Sequence, residues 1–165
     1  MNSVAFVEER VLFCPNIPPE VNNLLQAAVA ASSVDQGLAE TLFLQAQSLD
    51  RQCLQTYFAL YKFYFYQKRL VDAERIVLAG LEEAAKQGGF PNDSYQLVQN
   101  LQEWNLVNNE NALFYLYTMK ALSFIKLRLG LTEEALLVLS HLKQLDPKDL
   151  CGASVIMDLA AGITE

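Results

Sequence analysis

Between Tyr57 and Tyr66 the chain reads Tyr-Phe-Ala-Leu-Tyr-Lys-Phe-Tyr-Phe-Tyr, so that seven of these ten residues are aromatic against 10% in the chain as a whole. No Gly or Pro interrupts the run. The residues that follow, Val71 to Leu78, have helical spacing, and the run is therefore read as a helix. A helix that is apolar all round must be covered on nearly every side, or leave one aromatic stripe open for a partner. The same ten residues are thus the expected centre of the core and the first place to look for a binding surface.

With 165 residues, 52% of them hydrophobic, the chain can build one domain or one short repeat array. A net charge of -7 and a pI near 4.7 argue against nucleic acid or an anionic membrane as the main partner. Cys14, Cys53 and Cys151 are odd in number and far apart, which suggests neither a disulfide framework nor a Cys-x-x-Cys metal site and fits a reducing cytoplasm. Glu8, Glu9 and Arg10 fall where an export signal would need an unbroken apolar run, and no stretch reaches the uncharged length that spans a bilayer. Pro and Gly are sparse and separated, as helices joined by short turns require. The expected fold class is all-α.

Residues 1–19 are expected to form an extended arm, with Val11, Leu12 and Phe13 needing cover and Pro15, Pro18 and Pro19 stiffening it. Pro18 and Pro19 suit a helix start, and a first helix is expected over about Glu20 to Ala31. Ser33 and Gln36 have capping-box spacing, ahead of a second helix to Leu49 with the stripe Leu38, Ala39, Leu42, Phe43, Ala46 and Leu49. The aromatic helix follows, about Gln52 to Gln67, then a turn at Lys68 and Arg69 and a helix from Val71 to Lys86 closed by Gly88-Gly89. Asp93 and Gln96 read as the next start, with Tyr95, Val98, Leu101 and Trp104 as its apolar side. Asn105, Asn108, Asn109 and Asn111 read as a loop. A long helix is expected over Ala112 to Leu129, ended by Gly130. The hydroxyl of Thr132 is expected to cap a helix to Leu145, and Asp146-Pro147 to open a last helix over about Lys148 to Ala160.

Three segments share a pattern of Ala, then a larger apolar residue four positions on, then an apolar or small residue three further: Ala39, Phe43, Ala46; Ala73, Val77, Gly80; Ala135, Leu139, Leu142. Ala39 and Ala73 lie 34 residues apart, the tetratricopeptide period. The chain resembles the tetratricopeptide repeat family over about residues 20–149. In the middle unit Tyr57, Leu60, Tyr61, Tyr64, Ala73, Val77 and Gly80 stand at the family's pattern positions. In the last, Leu122, Ser123, Gly130, Ala135, Leu139 and Pro147 fit, while Met119 and Lys126 replace aromatics. In the first, only the second helix fits well. The resemblance implies an α-α superhelix of three helix pairs, at about 20–53, 54–87 and 116–149, in a single domain over 20–162. Residues 88–115 would be a helical insertion, or else the front half of a degenerate unit, and 148–162 a capping helix.

The lone histidine, His141, has no Ser, Cys or carboxylate fixed near it by spacing, and a packing or surface role is the expectation over catalysis. No metal-ligand spacing and no phosphate-binding glycine loop occur, so catalytic, metal and cofactor sites are all expected to be absent. The repeat register turns Phe58, Lys62, Phe65 and Tyr66 to the concave side or the adjacent unit, and places Tyr117, Lys120, Phe124 and Arg128 similarly. Half of the twelve basic residues lie on or beside these two helices. The resemblance implies protein–protein interaction, so the expectation is a cytoplasmic, non-enzymatic adaptor that holds a protein or peptide segment in an aromatic, locally basic groove. A chaperone for a secreted bacterial protein and a self-associating homo-oligomer are the alternatives. No nucleic acid and no membrane are expected as partners.

Overall fold

The computed structural model describes residues 16–104, 106 and 109–164. Among them are eight α-helices and one short 3-10 turn, and no strand. The expected arm, the apolar patch at Val11 to Phe13 and Asn105 and Asn108 lie outside the described residues in whole or in large part. Two compact units divide the chain, one ending at Ala79 and the other beginning at Gly80.

In the first unit, α1 (Pro19–Ala31) starts with Pro at its first position, where the missing N–H costs nothing, and buries Val21, Leu25 and Ala28 at i, i+4, i+7. Helix α2 (Gln36–Leu49) is capped by Asp35, whose carboxylate accepts from Leu38 N–H at 3.0 Å. The expected Ser33 capping box does not form, because the ionised Asp two residues later is the better acceptor for the helix's free amides. Only Ala39, Phe43 and Ala46 of the expected stripe are buried, whereas Leu38 and Leu49 are about half exposed. Helix α2 packs on α1 and on α3 (Leu54–Tyr66). As its composition required, α3 is buried on nearly all sides, with Tyr61, Tyr64 and Leu60 closed to solvent.

Helix α4 (Leu70–Gly88) buries Ala73, Ile76 and Val77, and ends where Gly89 turns left-handed. In the second unit, Asp93 caps α5 (Ser94–Gln99) by accepting from Tyr95 and Gln96 N–H. That helix buries Leu97, not the expected Tyr95, which is 60% exposed. Asn109, expected in a loop, is the cap of α6 (Glu110–Arg128), accepting from Asn111 and Ala112 N–H. Helix α7 (Thr132–Leu145) starts without a side-chain cap, so the Thr132 hydroxyl does not play the expected part. The last helix also departs from expectation. Asp146 takes the amides of Leu150 and Cys151 at 2.9 Å each, which holds 146–152 as a loop and delays α8 to Ala153–Thr164. Helix α7 packs on α5, α6 and α8, and α6 also meets α8.

Candidate functional site

Helix α3 is locked in one rotation by a polar cluster that closes in the first unit. Tyr64 donates its hydroxyl to Glu40 Oε2 of α2 at 2.7 Å. Arg69, just beyond the end of α3, grips both oxygens of the same carboxylate at 2.8 and 3.0 Å and stacks its guanidinium 4.6 Å from the centre of the Tyr64 ring. Arg69 also pairs with Asp72 at 2.9 Å. The Arg69 hydrogen bonds, then that of Tyr64, hold the Glu40 carboxyl below its usual range. Burial and the bond to Glu40 push the Tyr64 phenol up to about 12. A two-pronged Arg–carboxylate grip fixes orientation as well as distance, and so decides which side of α3 is left for solvent.

That side opens a cleft of about 470 Å³, within the roughly 300–1,000 Å³ common to ligand sites. Phe43 of α2 and Phe63 of α3, with ring centres 5.2 Å apart, form its deep part. Phe58, Ala59 and Tyr66 line it along α3, and Val29, Ser32 and Ser33 line it from the end of α1 and the turn beyond. Gln55, Gln67 and Lys62 are the other described residues of the lining, the Lys62 ammonium lying 4.8 Å from the centre of the Phe58 ring. Among the described residues that line it, none is acidic.

Of the eight residues expected to form a groove, Phe58, Lys62 and Tyr66 therefore meet at one cleft. Phe65 does not: it is buried, edge-on to Tyr66 at 5.5 Å. Tyr117, Lys120, Phe124 and Arg128 belong to the other unit, where only Arg128 is exposed. Lys120 was expected at the surface, yet it is only 5% exposed and donates to the Cys151 carbonyl at 2.7 Å. The register was blind to this because the 146–152 loop, set by Asp146, lies outside the repeat pattern. Phe43, Phe63, Val29 and Ser33 were not expected to join Phe58 at the site. Phe43 and Phe63 are apolar at core positions, and sequence offers no signal that part of a core pair borders a cleft.

His141 has a neighbour that spacing could not supply. Ser94, 47 residues away, places its hydroxyl 2.6 Å from Nδ1, and the Tyr95 ring lies 6.3 Å off. The pair ties α5 to α7. Among the described residues no group of three or more metal-ligating side chains converges, and no helix is long and apolar enough to cross a membrane.

No family model matches the chain, and no solved structure matches it. It is similar to a protein of Azotobacter chroococcum mcd 1 described as an uncharacterized 19.8 kDa protein in the nifW 5' region, 29% identical over 133 residues that make up 80% of this chain and 75% of that one.

Proposed function

We propose that this chain is a cytoplasmic helical-repeat adaptor of the tetratricopeptide type, which acts by holding a segment of another protein in the α1–α3 cleft rather than by catalysis. The cleft carries the proposal: it brings three of the expected groove residues, Phe58, Lys62 and Tyr66, to one opening over the Phe43–Phe63 pair. Apolar depth ringed by a few polar groups is the usual make-up of a recognition pocket. The repeat assignment draws support from element spacing, since α2 and α4 begin at Gln36 and Leu70, 34 residues apart. It is also supported by Ala39, Ala73 and Ala135, each fully buried where helices of a pair would need a small residue to approach. Fold type alone would not assign the activity.

The test uses Ala59, which lies on the cleft wall. Ala59→Trp fills the opening and should abolish partner capture from native lysate while the melting transition persists. Lys86→Glu, on an exposed position of α4, should leave capture intact. A folded Ala59→Trp protein that captures the same partners as the parent would dismiss the cleft as the binding site.

A further inference from the structure

We infer that an uncharged face of the α1–α2 hairpin docks a second copy of this chain, giving a weak two-fold dimer. This stands apart from the cleft, since none of the residues that carry it is among those described as lining the cleft. A hollow of about 560 Å³ is lined by Leu24 of α1 and by Thr41, Leu44, Gln45, Ser48 and Leu49 of α2. Thr41, Leu44, Gln45 and Ser48 fall at i, i+3, i+4 and i+7, one stripe of a helix. At 3.6 residues per turn that stripe lies opposite the buried Ala39, Phe43 and Ala46. Leu44 is 37% exposed and Leu49 52%, so α2 presents apolar surface on the side turned away from its own core. Exposed apolar surface gathered on one face marks a place of contact.

Charge names the occupant. Residues 21–49 hold only two charged side chains, Asp35 and Glu40, and no Lys or Arg, in a chain that is 19% charged. Asp35 is spent on capping α2, and Glu40 on Tyr64 and Arg69. Two copies of a chain with net charge -7 repel wherever their acidic surfaces are brought together. On this hairpin they can meet without setting like charges against each other. A two-fold contact also needs one patch that complements itself. This stripe does so, because Leu can pack on Leu while Thr, Gln and Ser each both donate and accept hydrogen bonds. Size sets the strength. Helices of 13 and 14 residues span about 20 Å and side by side cover about 20 Å in width, roughly 400 Å² in projection. A standard interface buries about 800 Å² per partner, so the expected dimer is a weak one, with a dissociation constant of tens of micromolar.

The experiment is sedimentation velocity of the full chain over about 1–300 µM, a range that brackets a weak interface. The mean sedimentation coefficient should rise from the monomer value toward that of a dimer. Added salt should strengthen the association, because it screens the repulsion between two acidic copies and finds no ion pair in the contact to weaken. Leu44→Glu should weaken association about tenfold by setting like charges across the contact. Ser48→Arg should do the same at no cost to folding, since the helix dipole favours a cation in the last turn of α2. Mixing the two variants should restore the association. Leu137→Glu, on an exposed position of α7, and Ala59→Trp in the cleft should leave it unchanged, so that failure of the cleft and failure of this face are read separately. A parent chain that stays monomeric throughout overturns the inference, as does a dimer that salt dissolves or that both Leu44→Glu and Ser48→Arg leave intact. Should the parent be monomeric and Leu44→Glu lower its melting transition, the face is covered from within its own chain and not by a second copy.

Discussion

The turn that ends α3 and the turn that ends α6 have the same hydrogen-bond pattern, 62 residues apart. At the first, Lys68 N–H donates to Phe65 C=O at 3.0 Å and Arg69 N–H to Tyr64 C=O at 2.9 Å. At the second, Gly130 and Leu131 donate to Leu127 and Lys126 at 3.0 and 2.9 Å. Both close a helix through a left-handed residue, Lys68 at φ 63° and Gly130 at φ 82°. The same offset matches Ala73 with Ala135 and Val77 with Leu139, all four buried. The faces behind these matching frames differ. Along α3, Phe58 and Lys62 border a cleft. On α6, Lys120 stands where α3 has Phe58, and its ammonium is committed to the Cys151 carbonyl. Tyr117, beside it, makes a long 3.4 Å contact to the Leu150 carbonyl. One helix–turn–helix frame thus serves two ends, because the loop that Asp146 organises seats itself on α6 within the second unit. A repeat register assigns the frame; it does not say which face a neighbouring loop will occupy.

The sharpest way to separate the two frames is at their matching core positions Tyr61 and Ser123, both closed to solvent. Tyr61→Ala removes a whole ring and should cost about 3–5 kcal/mol. Ser123 donates to the Lys120 carbonyl of its own helix at 2.7 Å, so Ser123→Ala should cost only about 0.5–1.5 kcal/mol. Urea titrations of both variants check the pair, and equal losses would break the claim that the frames fill their cores differently. Next in size are Ala73→Leu and Ala135→Leu, each expected to cost about 1–3 kcal/mol by overpacking. If one of them leaves the urea midpoint unchanged, the two alanines are not equivalent and the 62-residue match fails at its centre.

Helix existence was legible along nearly the whole described chain, because apolar spacing, Pro18-Pro19, the Gly88-Gly89 stop and Gly130 all act within a turn or two of their own position. Caps were read less well. Asp35 displaced Ser33, and Asp146 built a loop where a helix start was expected, since a carboxylate's choice among nearby amides depends on where the chain has already been led. Of the site, Phe58, Lys62 and Tyr66 followed from helical phase on α3. What brings them to a cleft is the end of α1, and what buries Lys120 is the 146–152 loop. Neither is periodic, so neither leaves a mark on the spacing.

The two left-handed residues give a smaller, signed difference. Beyond the glycine and its two chain neighbours, no described atom lies within 4 Å of where a Cβ on Gly130 would stand, so Gly130→Ala should cost about 1 kcal/mol through backbone conformation alone. Lys68 already carries that strain. Lys68→Gly relieves it while loosening the unfolded chain, and should stabilise by about 0.5 kcal/mol net. Melting curves of the two variants should therefore shift in opposite directions, and a shift of the same sign would show that the turns are not the same device.

The smallest expected effect tests the polar cluster on α3 through its pH dependence. Glu40 has a folded-state pKa below its ordinary value, because Arg69 and Tyr64 hydrogen-bond the ionised form. A carboxyl depressed in this way contributes stability that is complete above its unfolded pKa, about 4.3, and is lost as the pH falls through the lower folded value. Because Arg69 and Glu40 are 41% and 27% exposed, solvent screening limits the contribution to about 0.2–1 kcal/mol. Glu40→Gln keeps an oxygen for the Tyr64 hydroxyl and removes the titrating group. The parent should exceed this variant in melting temperature at neutral pH, and the gap should close as the solution is taken from about pH 5 to below the carboxylate range. A gap that stays constant over that interval would mean that Glu40 holds α3 through the shape of its hydrogen bonds, with no part played by its charge.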